Sequence, residues 1–228
     1  MSLSVYDGGG RRKYLTRSET DQFLAAARQR SALVYGFCWF ITTTGCRISE
    51  ALSVTPASFD FEAQQVVIES LKKREKRIFR AIPLPATYLN WLKKSLGHEL
   101  FGTQRLWPWS RMTAYRRITE VMEAAHIREG CASPKGLRHA FGVRAIQSGV
   151  PLNLVQRWLG HADMKTTAIY TSAMGPEERA IAALTWLDQD GGHEPLPNRL
   201  IGPGAISGLP PLQANRHRSG IPRNFRRT

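Results

Sequence analysis

The stretch ALVYGFCWFITTTG, residues 32–45, is almost continuously apolar. A helix that crosses a bilayer needs about 20 such residues, so this run is too short to span one. A surface helix carries a polar side, and this segment has none. What remains is a helix buried on all sides, which obliges the rest of the chain to build layers around it. With 228 residues, 42% of them hydrophobic, there is enough material for such a core.

The flanking patterns supply those layers. TRSETDQFLAAARQR reads as a helix with an N-terminal capping pattern in Ser18 and Asp21, and RISEALSV as a short helix stopped before Pro56. From Phe59 to Leu84 the segments FDFEAQQVVIES and RIFRAIPLP are rich in β-branched and aromatic residues, with the charged LKKREK between them, predicting a small antiparallel sheet with a basic turn. Helical spacing returns in ATYLNWLKKSL and SRMTAYRRITEVMEAAH. GLRHAFGVRAIQ then ends at Gly149, and PLNLVQRWLG opens with Pro and closes with Gly. PEERAIAALTWLDQ makes a further amphipathic helix. The expected fold is mainly α with a small antiparallel β-sheet. Residues 1–13 read as a flexible basic segment, 14–190 as the folded domain, and 191–228, dense in Gly, Pro and Arg, as a disordered basic tail.

There are 32 Lys and Arg against 18 Asp and Glu, a formal charge of +14 and a pI near 10.3. Such an excess points to a polyanionic partner, nucleic acid first. No apolar run suits a membrane, and MSLSVYDGGGRRK lacks a signal peptide's apolar core, so the expectation is a cytoplasmic, nucleoid-associated protein. Cys38, Cys46 and Cys131 have no CxxC spacing and no nearby His pair, so neither a zinc site nor a disulfide framework is expected. Arg111, Arg116 and Arg117 lie along the first half of one predicted helix, either as a phosphate-contacting face or as a solvated one.

Four separated pieces carry the chemistry: GCRISE with Arg47 and Glu50, the turn LKKREK, PKGLRHAFG with Lys135, Arg138 and His139, and LGHADMKTTAIYT with His161 and Tyr170. Taken singly, each has a plain reading: a helix-surface ion pair, a solvated turn, a buried core histidine, and a helix-capping histidine with a packed aromatic. In this order and together, TTGCRISEAL, SPKGLRHAFGVRAI and LGHADMKTTAIYT resemble the signature boxes of the tyrosine recombinases, the lambda integrase family, and YLTRSETDQFLAA resembles the usual start of their catalytic domain.

The resemblance covers roughly Tyr14 to Leu187 and implies the tyrosine recombinase catalytic-domain fold. It makes Tyr170 the nucleophile, has Arg47 and Arg138 hold the scissile phosphate, and has His161 donate a hydrogen bond to it. The family's hairpin lysine falls on Lys72, at the end of the strand VVIE, with Lys73 as the competing assignment. Glu50 matches the acidic residue that supports the site, and His139 the histidine that commonly follows the second arginine. The departure is Lys135, where many relatives have histidine. It puts a fixed positive charge at a general-base position, from which a lysine can bind phosphate, or accept the tyrosine proton if neighbouring arginines lower its pKa.

The chemistry explains the residue types. Each arginine offers a phosphate two parallel N–H bonds and stays charged at any working pH, which suits a transition state that concentrates negative charge on the nonbridging oxygens. A phenol with a pKa of about 10 is a poor nucleophile until its proton is removed, and nearby cations help. An ammonium on the basic turn suits protonation of the leaving 5′ oxygen. The resulting 3′-phosphotyrosyl link conserves the bond energy, so another 5′-hydroxyl can reseal the strand with no metal, cofactor or ATP.

The implied partners are double-stranded DNA with specific recombination sites and further copies of the chain in a tetrameric synapse, with PEERAIAALTWLDQ docking on its own domain or on a neighbour. The runner-up activities are a type IB topoisomerase, which resembles the family in fold, and a DNA-binding accessory protein that has lost catalysis. Relatives commonly carry a separate helical clamp domain ahead of this point, whereas 13 residues precede Tyr14 here. The chain is either a fragment or a minimal recombinase, and weak, strongly salt-dependent DNA binding is expected.

Overall fold

The computed structural model describes residues 4–70, 78–127 and 130–172, all within the first of two compact units. LKKREK, expected as a basic turn, PEERAIAALTWLDQ, expected as a helix, and residues 191–228, expected as a disordered tail, lie outside the described residues.

The apolar run forms α2 (Ala32–Thr44), with Phe37, Cys38, Phe40 and Ile41 wholly buried, Leu33, Trp39 and Thr43 partly exposed and Ala32 exposed at its first position. The expected spine is therefore present. Around it lie α1 (Arg17–Arg28), the short α3 (Ile48–Ala51), α4 (Ala86–Ser95), α5 (Arg111–Ala124), α6 (Pro134–Gln147) and α7 (Leu152–Leu159). A last short helix, α8 (Lys165–Ala168), runs into a 3-10 turn, Ile169–Ser172. Trp107, fully buried, fastens the loop before α5 to α2 by donating Nε1–H to the Leu33 carbonyl at 3.1 Å.

The cap of α1 differs from the Ser18–Asp21 pattern expected. Thr16 is the N-cap: its hydroxyl accepts from the Glu19 amide at 3.2 Å, and Glu19 accepts from the Thr16 amide at 2.8 Å. The pair lies two residues earlier because the longer glutamate reaches back to close the reciprocal box, and the Arg12 guanidinium then binds the same carboxylate.

β1 (Phe59–Asp60), β2 (Gln65–Glu69) and β3 (Phe79–Pro83) form an antiparallel sheet in the order β1-β2-β3, with Val66 opposite Ile82 and Ile68 opposite Arg80. Val66, Ile68 and Ile82 point into the core, and the alternation along β3 sends Arg80 inward beside them. The second, smaller core cluster gathers Val143 and Ala145 of α6, Val155 and Leu159 of α7, and Tyr170. Val5 joins it, fully buried, from a short N-terminal loop closed by an antiparallel bridge between Tyr6 and Arg12. All three cysteines are free and buried, and burial pushes the Cys38 thiol up to about 12. No helix among the described residues is long and apolar enough to cross a membrane.

Candidate active site

Two helix ends make the floor of the site. α2 ends at Gly45, whose φ of 60° is left-handed and whose missing Cβ would stand 2.5 Å from a ring carbon of Phe141. α7 ends at Gly160 in the same conformation, φ 65°. Glycine stops each helix and leaves its terminal carbonyls turned outward. Arg138 of α6, 9% exposed, donates to both ends: Nη1–H to the Gly45 carbonyl at 2.8 Å and Nη2–H to the Leu159 carbonyl at 2.7 Å. A cation at two helix C-termini sits where both backbone dipoles favour it. Burial, and then the neighbouring Arg47 charge, still lower its pKa to about 10, which leaves it cationic at neutral pH.

Arg47 begins α3 and keeps a third of its side chain exposed. Its Nη1 pairs with Glu50 Oε1 at 2.8 Å, and its backbone N–H donates to Oε2 at 2.9 Å. Glu50 is wholly buried. Burial raises its pKa, but the hydrogen bond and charge of Arg80, together with Arg47, outweigh that and hold it below the usual carboxylate value.

Tyr170, 1% exposed, lies on the 3-10 turn after α8. Its hydroxyl is 3.2 Å from His139 Nδ1, and its ring meets the His139 ring edge-on and lies nearly parallel to that of His161. The backbone of Gly142 leaves the space the phenol ring fills. Burial raises the phenol's pKa, while the charges of Arg138 and Arg47 act against it. His161 Nδ1 is 2.9 Å from the Thr167 hydroxyl, so Nε2 is the nitrogen it can turn to a ligand. Burial lowers the pKa of His139 to about 4 and of His161 to about 3, with Lys135 and Arg138 adding to the first and Arg138 and Arg47 to the second. Both imidazoles are neutral at physiological pH. Among the described residues His139 Nε2 is buried without a partner.

The site thus brings together Arg47, Glu50, Arg138, His139, His161 and Tyr170. Lys135 is exposed at the second position of α6, one turn before His139. Lys72 and Lys73 lie outside the described residues. Arg111, Arg116 and Arg117 are exposed on α5, the latter two 3.7 Å from Glu120 of their own helix, so part of their charge is met locally. The sequence reading missed Arg80, whose side chain is 4% exposed. The inward phase of RIFRAIP is the signal that identifies it. Beside it, an open cleft of about 260 Å³ lined by Ser70, Phe79, Arg80, Gln156 and His161 separates the hairpin from α7. The described residues contain no His, Cys, Asp and Glu grouping able to hold a metal.

Comparisons with known proteins bear on the family and the fold. Residues 13–175 match the profile of the phage integrase family. Tyrosine recombinase XerD of Yersinia pestis is 32% identical over 140 residues, which is 56% of this chain and 46% of that protein. XerD of Haemophilus influenzae is 28% identical over 174 residues, covering 70% and 57%. The chain therefore spans about half the length of the curated relatives it matches. Among solved structures, the XerH site-specific recombinase in a post-cleavage complex with its palindromic difH substrate superimposes with a TM-score of 0.65 at 26% identity, over 76% of this chain and 53% of that one. The catalytic domain of bacteriophage HP1 integrase shares the fold, with a TM-score of 0.57 at 19% identity over 75% of this chain and 93% of that one.

Proposed function

We propose, since the chain belongs to the phage integrase family, that it is the catalytic part of a site-specific DNA recombinase working through a 3′-phosphotyrosyl intermediate. The observation that carries this is the convergence of two arginines, a neutral histidine and a buried tyrosine from segments as far apart as Arg47 and Tyr170. Arg138 ties the ends of α2 and α7 together beside the phenol, and both arginines act on its titration.

In this reading Arg47 and Arg138 neutralise the nonbridging oxygens of a scissile phosphate, and His161 donates from Nε2 to the same group. Tyr170 Oη attacks phosphorus, its proton passing to His139 Nδ1 at 3.2 Å. The P–O5′ bond breaks, and a lysine of the LKKREK segment, Lys72 or Lys73, supplies the proton that the 5′ oxygen takes. Attack by a different 5′-hydroxyl reverses these steps and reseals the strand. Lys135, exposed at the start of α6, serves as a phosphate-binding cation rather than as the base. Partners are duplex DNA with defined sites, contacted in part by Arg111, Arg116 and Arg117, and further copies of the chain assembled into a tetrameric synapse.

Labelled DNA from the replicon that encodes the chain, incubated with chelator and stopped with detergent, tests this. Wild type is expected to leave protein on 3′ ends at a mapped position, and Tyr170→Phe to leave none. Adducts that persist in the mutant would overturn the assignment of the nucleophile. Relaxation of supercoiled plasmid with no defined site would favour a topoisomerase instead.

A further inference from the structure

Arg80 belongs to no signature segment, yet it is the most enclosed cation of the described site, and each of its contacts goes to a different element. Its Nη2–H donates to Glu50 Oε2 at 2.6 Å, its Nε–H to the Trp158 carbonyl of α7 at 2.8 Å and its Nη1–H to the Ser70 hydroxyl, just past β2, at 2.8 Å. The missing Cβ of Gly160 is what admits the guanidinium, since a carbon there would stand 3.0 Å from Nη1. The next residue along is His161. A buried charge costs several kcal/mol to desolvate unless fully paired, so a strand position that alternates with Ile82 would be filled more cheaply by an aliphatic residue. The arginine's three-way pairing answers a different need.

We propose that Arg80 is a positioning residue for the strand-cleavage reaction: it fixes the Glu50 carboxylate that aims Arg47 and, through the end of α7, the backbone that presents His161. This rests on the reading of Arg47 and His161 as phosphate-binding groups. Glu50 has two cationic partners, the Arg47 guanidinium on Oε1 and the Arg80 guanidinium on Oε2, each through one N–H, and Arg80 is the buried one. Without it the carboxylate depends on Arg47 alone, and Arg47 is then held as a counter-ion rather than freed to meet a phosphate. The charged and titratable groups around Glu50 are Arg47 on its own helix, Arg80 of β3, Arg138 of α6 and the buried Cys46 thiol. With Arg80 removed, burial of Glu50 is opposed by fewer cations and its pKa must rise.

Arg80→Met and Arg80→Lys test this with two readouts. The first requires no cleavage: carbon NMR of the Glu50 carboxyl in the free protein. Wild type should remain ionised through the mildly acidic range and Arg80→Met should titrate at higher pH, with Arg80→Lys between them. An unchanged Glu50 titration overturns the proposal, whatever the protein does to DNA.

The second readout is adduct formation at saturating DNA. The rate in Arg80→Met should fall on the order of 100-fold, with DNA affinity changed less than about threefold, because a displacement of about 1 Å in a positioning group acts on turnover more than on binding. Its acid limb should also move to higher pH along with Glu50. A rate within about threefold of wild type, or a slow rate with the wild-type pH profile, overturns it. If Arg80→Met fails to fold, Arg80→Lys carries both readouts, because an ammonium keeps the charge but cannot serve three divergent acceptors with a planar fork. Absence of any wild-type adduct would count against the nucleophile reading, and the Glu50 titration would still judge Arg80.

Discussion

Gly142→Ala pits two effects of opposite sign against each other. Gly142 lies inside α6, where alanine has the better helix propensity by about 1 kcal/mol, so backbone considerations alone predict a gain in stability. The new Cβ, however, would stand 2.5, 2.6 and 2.7 Å from Cε2, Cζ and Cδ2 of Tyr170. Carbon atoms rest at about 3.5–4.0 Å, so the ring must retreat by about 1 Å. It has little room to do so, enclosed between His139 and His161 and 1% exposed. Overpacking of this kind costs about 1–3 kcal/mol, which offsets the helix gain and leaves a net loss of up to about 2 kcal/mol. For a domain of this size that lowers Tm by up to about 8 °C. The same retreat pulls the hydroxyl off His139, so adduct formation should fall by a factor of about 10 to 100. Thermal unfolding and the detergent-stopped adduct assay, run on one preparation, read both. A Tm raised by about 2–4 °C with adduct yield unchanged would be the propensity result alone, and would refute the claim that the ring is held where it is described.

Three further outcomes are expected. The folded state holds His139 neutral with a pKa of about 4, below its ordinary 6.5, so the unfolded chain binds more protons between those values. Stability present above about pH 6.5 is then lost as the pH falls towards 4. Tm measured down that range should decline less steeply in His139→Gln, the remaining slope coming from His161 and, at the acid end, from Glu50, and identical slopes would contradict the assignment. Arg138→Lys cannot reach both the Gly45 and Leu159 carbonyls, and cleavage should fall on the order of 100-fold or more, measured as single-turnover adduct formation; a rate within threefold of wild type would argue against the fork. Affinity for duplex DNA should drop steeply between low and moderate salt as phosphate contacts release counterions, and a flat titration would point away from a phosphate-dominated interface.

How far the sequence reading reached depended on whether a feature is local. The buried helix, the glycine stop at Gly160 and the two strands of the hairpin are written in runs of neighbouring residues, and they could be read. The start of α1 was placed late because Ser18–Asp21 and Thr16–Glu19 both fit a short capping pattern, and only the reach of the glutamate decides between them. Arg47, Arg138, His161 and Tyr170 were found through a resemblance spread over four segments, since no periodicity links residues so far apart. Arg80 was not, because an arginine beside LKKREK reads as one more surface charge unless the strand phase is followed through Ile82. The bond from Tyr170 to His139 spans elements whose packing no linear pattern encodes, although each residue was already a candidate.

The seat of Arg138 is made of main chain. Both of its acceptors are carbonyls, which any residue can supply, so substitutions in the surrounding side chains leave the anchor in place as long as the two helices end where they do. Only three positions carry the instruction: the arginine and the two left-handed glycines. Such a device is robust to divergence, because drift elsewhere cannot easily detach it. It is also portable, since a designer who wished to fix a guanidinium rigidly in another helical scaffold would need to copy two helix ends and their stops, and very little else.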